Sequence, residues 1–350
     1  MKESRDMFDY DLLCIGSGPA GQRAAVQAAK LGKRTAIVER GHLIGGVCVD
    51  TGTIPSKTFR EAVLLTMGRT FPNEKLKGSA SNHQLSGQTL LARVAEVEQA
   101  QADIIHGQLH RNDVAILTGE ACFHDPHTVM VARDGQTSAV TAANIVIAVG
   151  TVPTRPPGSL TDSNLVVTSD ELLNITTWPR RFTVVGAGVI GVEYASMFAA
   201  LGIEVTVVDK RDRPLEFLDR ELVDELLHQM RNAGVTFRLG ETVERLEVVE
   251  KPSRHVVVSL ESGKRLVSDL VLFSAGRIGA TDHLNLSATG LKTDDRGRLA
   301  VDHEYRTSVP HIFAAGDVIG FPSLATTSAE QGRLAACAAF GIDTEPMASH

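Results

Sequence analysis

The chain has 350 residues, of which 43% are hydrophobic, 22% are charged and 5% are aromatic, and this length favours two domains over one. Its 31 glycines and few aromatic residues are typical of an α/β protein in which strands and helices pack closely. The formal net charge of −7, the lack of a long apolar run and the lack of a signal segment argue against nucleic acid or a membrane as partner and predict a cytoplasmic protein.

The first predicted elements form a strand–turn–helix–strand segment near the start of the chain. An apolar strand over residues 10–15 leads into a glycine-rich turn, Gly16-Ser17-Gly18-Pro19-Ala20-Gly21, which opens an alanine-rich helix. A second strand, 35–39, follows and ends in the acidic residue Glu39. This order predicts a βαβ unit of the kind that binds dinucleotides.

A helical stretch and a β region come next. We predict helix from about residue 56 to 111 and strands over 115–123, 128–133 and 140–149. The tetrapeptide His124-Asp125-Pro126-His127 contains metal-ligating residue types, but it stands where two short strands need a turn, which Asp-Pro supplies. It therefore predicts a hairpin tip, and no metal site is expected.

The first pattern then recurs. After a proline-rich crossing segment, 151–158, a strand at 182–185 leads into Gly186-Ala187-Gly188-Val189-Ile190-Gly191, and a strand at 205–209 ends in Asp209. In both copies the acid stands 23 residues after the first glycine (from 16 to 39 and from 186 to 209). This internal repeat predicts an α/β fold with two Rossmann-like dinucleotide-binding domains.

Short elements complete the chain. The remaining predictions are strands near 235–239, 255–260 and 266–273, a return crossing at 274–277, a strand at 312–315 that meets Gly316 and Asp317, and a final helix over 327–340. Because the chain returns after the second repeat, we expect the first domain to be split, with the second inserted into it.

The glycine-rich turns predict the ligand. The first glycine permits the tight bend, the second lets a pyrophosphate approach the backbone at a helix N-terminus, and the third lets helix and strand pack. We expect Glu39 and Asp209 to accept hydrogen bonds from ribose hydroxyls. Asp209 favours the free 2′-hydroxyl of NAD, whereas Arg211 can hold the 2′-phosphate of NADP, so both coenzymes stay open. Lys210 and Arg213 are as well explained by solvated surface charge.

Further segments carry a resemblance to a known family: Gly45–Lys57, Ile147–Thr151, Ala275–Arg277 and Ala315–Asp317. Together with both turns they resemble the pyridine nucleotide-disulfide oxidoreductases, which include dihydrolipoamide dehydrogenase and glutathione reductase, over essentially the whole chain. The resemblance implies FAD as cofactor and NAD and/or NADP as substrates. It assigns residues 1–150 and 276–350 to the two parts of an FAD-binding domain and 151–275 to an inserted NAD(P)-binding domain.

The chain departs from the disulfide-reducing members at one position. In those members two cysteines separated by four residues form a redox disulfide beside the flavin, whereas here Cys48 has the first place and Thr53 the second. A hydroxyl cannot form a disulfide, so a dithiol relay is excluded. Thr53 and the segments 209–213 and 316–325 are similar to the soluble, FAD-dependent NAD(P)+ transhydrogenase branch, which implies hydride transfer from NADPH through FAD to NAD+.

The resemblance also implies roles for single residues. Lys57 corresponds to a lysine near flavin N5 and Glu193 to its ion-pair partner, and these are the candidate catalytic residues, since a cation there stabilises reduced flavin. Asp317 corresponds to the acid that binds the ribityl chain. The candidate cofactor-binding residues are Gly16, Gly18, Pro19, Ala20, Gly21, Glu39, Arg40, Gly46, Cys48, Thr53, Lys57, Gly150, Thr151, Gly186, Gly188, Ile190, Gly191, Glu193, Asp209, Arg211, Gly276, Arg277, Gly316, Asp317 and Ala325.

The four cysteines form neither a metal pattern nor a disulfide framework. Cys48 is expected to pack beneath the flavin as a neutral thiol rather than to act as a thiolate. Cys14, Cys122 and Cys337 are expected in the core.

Members of the family continue into a C-terminal dimerisation domain, for which this chain has no residues left before His350. A homodimer is therefore expected for the full-length family, with its interface domain missing here. Besides transhydrogenase activity, two alternatives stay open: an NAD(P)H diaphorase or dihydrolipoamide dehydrogenase-like oxidoreductase, and a truncated, non-catalytic FAD-binding remnant.

Overall fold

The computed structural model describes residues 7–66, 87–156, 164–251 and 253–345. The chain folds into two compact units, each assembled from separate stretches of sequence. The first unit comprises Met1–Ile54, Val97–Val152 and Arg277–His350. The second unit comprises Pro55–Glu96 and Pro153–Gly276.

A seven-stranded sheet forms the centre of the first unit. Its strands are β1 (Tyr10–Ile15), β2 (Thr35–Glu39), β3 (Ala115–Thr118), β4 (Glu120–Asp125), β5 (Thr128–Arg133), β6 (Gln136–Ile147) and β17 (Ile312–Ala314). The order is β3-β2-β1-β6-β5-β4, and β17 also pairs with β6. Strand β6 takes part in both kinds of strand pairing: its residues 142–147 pair with β1 in parallel, and its residues 136–141 pair with β5 antiparallel.

Among the described residues, the helices that stand between or after these strands in the sequence are α1 (Pro19–Lys30), α2 (Val47–Asp50), α3 (Thr53–Thr66), α4 (Gly87–Arg111) and α7 (Ala325–Ala339). Proline at the first position of α1 starts the helix directly after the turn, since its missing N–H would be unsatisfied there in any case. The alanine-rich face of α1 packs against α7 in the first unit. The approach is so close that a Cβ at Gly332 would lie 2.0 Å from the carbonyl oxygen of Ala20.

The second unit is built on a five-stranded parallel sheet. Its strands are β8 (Val166–Val167), β9 (Arg181–Val185), β10 (Glu204–Asp209), β11 (Val235–Leu239) and β15 (Leu270–Phe273). The helices that follow β9 and β10 are α5 (Val189–Ala200) and α6 (Arg220–Asn232). The order β11-β10-β9-β15-β8 places β9 and β10 side by side, as β1 and β2 are in the first unit. Phe59, Phe182 and Phe198 are fully buried in its largest core cluster.

A separate antiparallel sheet in the second unit consists of β12 (Val243–Val249), β13 (His255–Leu260) and β14 (Arg265–Ser268). Two short strands, β7 (Thr151–Pro153) and β16 (Arg277–Gly279), pair where the chain passes between the units. Among the described helices, none has both the length and the apolar composition that crossing a membrane requires.

The α/β class and the repeated βαβ units are confirmed, whereas several predicted element boundaries are wrong. The predicted strand 115–123 is two strands, because Gly119 interrupts it with φ 154° and donates its N–H to Glu39 O at 2.9 Å. The predicted strand 266–273 is likewise two, β14 and β15, which belong to different sheets. β12 was not predicted, since charged residues interrupt its apolar alternation.

The predicted hairpin tip is confirmed. β4 and β5 pair antiparallel, with Asp125 opposite Thr128. Asp125 Oδ1 accepts the backbone N–H groups of His127 and Thr128 at 2.8 and 2.9 Å, which holds the turn closed. The part of the chain that the structure describes contains no group of three or more metal-ligating residues placed to hold an ion.

The two units change over within two residues of the predicted boundaries at both crossings and depart from them over one longer segment. The described residues 55–66 and 87–96, predicted within the first FAD-binding part, group with the second unit, in which Phe59 packs against Trp178 and Phe198 with ring centroids 6.1 and 5.9 Å apart. The assignment of cofactors to the two parts stays a prediction. Residues 67–86 of the predicted helical stretch and 157–158 of the crossing segment lie outside the described residues.

Candidate functional site

The three glycines of the first turn differ in what surrounds them. A Cβ at Gly16 would lie 2.4 Å from Ala148 O, and one at Gly21 would lie 1.9 Å from Gly16 O, so packing requires glycine at both positions. At Gly18, in contrast, no described atom lies within 4 Å of an added Cβ. Its φ of −62° and ψ of 176° suit any residue. Glycine at 18 therefore keeps space open for a group from outside the chain, as a pyrophosphate requires.

The second turn repeats this arrangement. A Cβ at Gly186 would lie 2.5 Å from Ser274 O and one at Gly191 would lie 1.9 Å from Gly186 O, whereas Gly188 again faces open space at φ −79°. Gly18 and Gly188 are the N-caps of α1 and α5, and neither helix start has a side-chain cap. Both helix starts thus leave backbone N–H groups and the positive end of the helix dipole for an anion, so each turn fits the pyrophosphate of a dinucleotide.

Glu39, at the end of β2, is buried with 8% of its surface exposed. Its Oε2 accepts hydrogen bonds from Ser17 N at 2.9 Å and Ser17 Oγ at 2.5 Å, and its Oε1 accepts one from Gly41 N at 2.7 Å. A carboxylate offers about four acceptor positions. One position on Oε1 is thus left for a ribose hydroxyl.

The loop before α2 lies against the first turn. Gly45 donates its N–H to Ser17 Oγ at 2.9 Å. Gly46 has a φ of 59°, and a Cβ there would lie 2.8 Å from the Cα of Gly18. The structure therefore brings Gly46, and with it the start of the helix that carries Cys48, beside the open space at Gly18.

Cys48 and Thr53 form a side-chain pair. The Cys48 thiol hydrogen-bonds the Thr53 side chain. Burial raises the pKa of Cys48, and the negative charge of Asp317 adds to this, whereas the hydrogen bond to Thr53 acts the other way. The thiol is protonated at neutral pH, which makes it a poor nucleophile.

Asp317 follows the last strand of the first unit. Burial raises its pKa, while the charge of Arg277 and a hydrogen bond from Ser328 act against that rise. Arg277 is fixed in turn, because its Nε donates to Thr151 Oγ1 and its Nη2 to Thr151 O, both at 2.9 Å. The N–H of Gly316 donates to Gln331 Oε1 at 2.9 Å. Asp317, Arg277 and Thr151, predicted from distant parts of the sequence, thus lie in one charged cluster.

Asp209 ends β10 and is 6% exposed. Its Oδ2 accepts Ala187 N at 2.6 Å and Arg211 Nη2 at 2.7 Å, and its Oδ1 accepts Arg211 N and Arg211 Nε, both at 2.9 Å. Burial raises the pKa of Asp209, but these hydrogen bonds outweigh it and leave the pKa below its usual value. The predicted pair is therefore present, with the guanidinium closed onto the acid.

Lys57 and Glu193 also come together within the second unit. The Lys57 ammonium donates to Glu193 Oε1, and the side chains are 57% and 21% exposed. Lys57 stands on α3 and Glu193 on α5, so residues 136 positions apart form this ion pair. Their catalytic role stays a prediction.

The other candidate residues lie at helix starts, on the surface or where the chain crosses from one sheet to another. Pro19 and Ala20 form the first turn of α1, and Ala325 begins α7. Arg40 is exposed and Ile190 is half-buried. The remaining glycines stand at crossings: the carbonyl of Gly150 accepts Ala280 N at 3.1 Å, and that of Gly276 accepts Thr154 N at 3.0 Å.

Two side-chain contacts of the site are not predicted by the sequence. Ser17 is fully buried and links Glu39 to the loop that contains Gly45. The difference between Ser17 in the first turn and Ala187 at the same place in the second turn indicates a role for its hydroxyl. Gln331, 6% exposed, fixes Gly316 across a gap of 15 residues. No pattern in the sequence indicates that contact.

The duplicated turns have counterparts in known proteins. The family model described as pyridine nucleotide-disulphide oxidoreductase matches residues 10–332. The chain belongs to this family. Membership implies a flavin cofactor and nicotinamide nucleotide substrates for an oxidoreductase.

Several relatives and solved structures match most of the chain. A Mycobacterium bovis protein named soluble pyridine nucleotide transhydrogenase is 50% identical over 344 residues, 97% of this chain and 72% of the relative. A Colwellia psychrerythraea protein of the same name is 43% identical over 332 residues, 95% of this chain and 70% of the relative. The crystal structure of LpdA from Mycobacterium tuberculosis matches with a TM-score of 0.86 and 29% identity, covering 96% of this chain and 74% of that one. RclA from Escherichia coli, an HOCl-induced flavoprotein disulfide reductase, matches with a TM-score of 0.84 and 29% identity, covering 96% of this chain and 72% of that one.

Proposed function

We propose that the protein is an FAD-dependent NAD(P)+ transhydrogenase, which moves a hydride from NADPH to NAD+. The open turn at Gly18 with Glu39 and Asp317 would hold FAD, and the open turn at Gly188 with Asp209 would hold the nicotinamide nucleotide. The flavin, when bound, supplies the redox chemistry of accepting and returning a hydride. The name shared by relatives at 50% and 43% identity supports this choice within the family.

The observation that carries the proposal is the pair formed by Cys48 and Thr53. The thiol is protonated, hydrogen-bonded to a hydroxyl, and free of any disulfide. This position therefore has no second thiol with which to store two electrons, which argues against a dithiol acceptor and favours a second nicotinamide nucleotide. The proposal assigns Lys57 the role of a positive charge that stabilises reduced flavin, and the ion pair with Glu193 holds the Lys57 ammonium in place.

Anaerobic titration tests the proposal. NADPH should bleach the flavin absorbance of the purified protein, and a spectrally distinct NAD+ analogue should restore it over repeated turnovers. Because no disulfide shares the electrons, about one equivalent of NADPH per flavin should complete the bleaching. Bleaching without reoxidation by the analogue would instead identify a diaphorase, and turnover of oxidised glutathione or lipoamide would overturn the proposal.

Thr53→Cys is the matched variant. Its side chain would start within hydrogen-bonding distance of the Cys48 thiol, so a disulfide should form on oxidation. The variant should then take up about two equivalents of NADPH per flavin rather than one. An uptake equal to that of the wild type, with a disulfide demonstrated by thiol counting, would show that this position is not electronically connected to the flavin.

A further inference from the structure

The two acids that end β2 and β10 can be compared atom by atom, because they occupy the same place in the repeat. Each accepts the backbone N–H of the residue after the first glycine: Ser17 N to Glu39 at 2.9 Å and Ala187 N to Asp209 at 2.6 Å. Each acid also accepts the backbone N–H of the residue two positions after itself: Gly41 N donates to Glu39 at 2.7 Å, and Arg211 N donates to Asp209 at 2.9 Å. The backbone cradle of the two carboxylates is therefore the same.

The side chain at the last of these positions makes the difference. Gly41 has none, and within the described residues Glu39 keeps one acceptor position free. Arg211 stands in the equivalent place and closes a two-bond fork over Asp209, with Nε on Oδ1 and Nη2 on Oδ2. With Ala187 N and Arg211 N, this fork fills all of the roughly four acceptor positions that a carboxylate offers.

A covered acid cannot bind ribose as Glu39 can. The adenosine ribose of NADH would have to displace one arm of the fork before its 2′-hydroxyl could donate to Asp209. The 2′-phosphate of NADPH has no donor for Asp209, but it offers oxygens that a guanidinium binds as well as it binds a carboxylate. The two coenzymes therefore place opposite demands on the same side chain.

The backbone of Arg211 is anchored, whereas its guanidinium is partly exposed. The main chain from 209 to 211 is held by the two residues that follow β11, because Gly240 donates its N–H to Arg211 O at 3.0 Å and Glu241 donates its N–H to Asp209 O at 3.1 Å. The Arg211 side chain is 38% exposed, in contrast with 5% for that of Asp209. The carboxylate is thus fixed, and the arginine is the part of the pair that can turn outward.

We propose that Arg211 is a coenzyme-dependent cover of Asp209: it closes on the acid in the free protein, is displaced by the ribose of NADH, and turns to the 2′-phosphate of NADPH. This inference rests on the proposed function and adds the means by which one site serves both coenzymes. NADH binds only the molecules in which Arg211 has left Asp209. Its apparent affinity is therefore its intrinsic affinity multiplied by the fraction of molecules in that open state. For NADPH, the new contact between Arg211 and the 2′-phosphate offsets the free-energy cost of breaking the hydrogen bonds between Arg211 and Asp209.

Arg211→Gly tests this, because it copies the Gly41 arrangement of the first repeat. Removing the cover should tighten NADH binding by about threefold or more and weaken NADPH binding by about tenfold or more. Isothermal titration of the oxidised, FAD-loaded protein with NAD+, NADP+, ADP-ribose and its 2′-phosphate, none of which reduces the flavin, measures both effects at the adenosine ribose without turnover. Lys210→Ala is the control, since it removes the same charge from an exposed neighbouring position.

The outcomes separate the cover from simpler roles. If Arg211→Gly weakens NADPH and leaves NADH unchanged, the arginine is only a phosphate anchor and the cover is refuted. If both coenzymes weaken alike while Lys210→Ala does the same, the effect is one of surface charge, which also refutes it. Arg211→Lys, which keeps the charge but not the planar fork, should retain part of the NADPH affinity and the tighter NADH binding. A wild type that binds neither coenzyme would overturn the proposed function together with the cover.

Discussion

Gly332 on α7 offers a test of how the first unit packs around its dinucleotide turn. In the interior of a helix, glycine is less favourable than alanine by about 1 kcal/mol, so Gly→Ala is ordinarily stabilising. At Gly332 the new Cβ would lie 2.0 Å from Ala20 O, 2.7 Å from its carbonyl carbon and 2.9 Å from its Cα. All three atoms belong to the backbone of α1, so no side-chain rotation can relieve the overlap.

The two effects oppose each other, and their magnitudes decide the sign. Overpacking a well-filled contact costs about 1–3 kcal/mol. An overlap of this depth with a main chain lies at the upper end, because α1 and α7 must separate and lose packing along their shared alanine face. We expect Gly332→Ala to lower the free energy of unfolding by about 1–2 kcal/mol after the gain in helix propensity is subtracted.

Gly107→Ala is the matched control within the first unit. Gly107 is also inside a helix, α4, but its added Cβ would meet only the tip of Arg111 at 3.2 Å, which can move away. This variant should be more stable than the wild type by up to about 1 kcal/mol. Urea unfolding in a fixed excess of FAD, followed by flavin fluorescence, gives both midpoints. A Gly332→Ala midpoint equal to or above that of Gly107→Ala would refute the close helix packing.

Two further changes probe the site, and a third probes an acid on α4. Gly18→Val should fold, because nothing lies within 4 Å of the new Cβ and the backbone suits valine, yet it should purify without flavin; full FAD content would contradict this. Cys48→Ser should keep NADPH-dependent bleaching within about tenfold, a change of roughly 1.4 kcal/mol in the barrier, and a bound but irreducible flavin would assign the thiol a role. Burial and the charge of Asp50 raise the pKa of Glu98 to about 7 from 4.5. The folded protein thus holds this proton more tightly than the unfolded chain, and stability is lost as pH rises from about 4.5 to 7. Glu98→Gln should therefore resist urea better than the wild type at pH 8 and equally at pH 4, whereas an equal gain at both values would contradict the shifted pKa.

Sequence reasoning predicted the elements that local pattern specifies. The repeated turns, the strands before them and the closing acids Glu39 and Asp209 depend on spacing within about 25 residues, over which glycine placement and strand–helix alternation are informative. It failed where a boundary depends on a distant neighbour. Gly119 breaks a strand because its N–H bonds Glu39 O, and the predicted strand 266–273 is two strands because β14 and β15 pair in different sheets.

The sequence by itself determined which residues have the chemistry for the site: the open glycines, the two acids, and a threonine in place of a second cysteine. Only the tertiary structure decided how they are engaged. The carboxylates of Glu39 and Asp209 look equivalent in the chain, yet one keeps an acceptor position and the other is closed by Arg211. The physical reason is that a hydrogen bond depends on distance and direction in space, and spacing along the chain specifies neither for a flexible side chain.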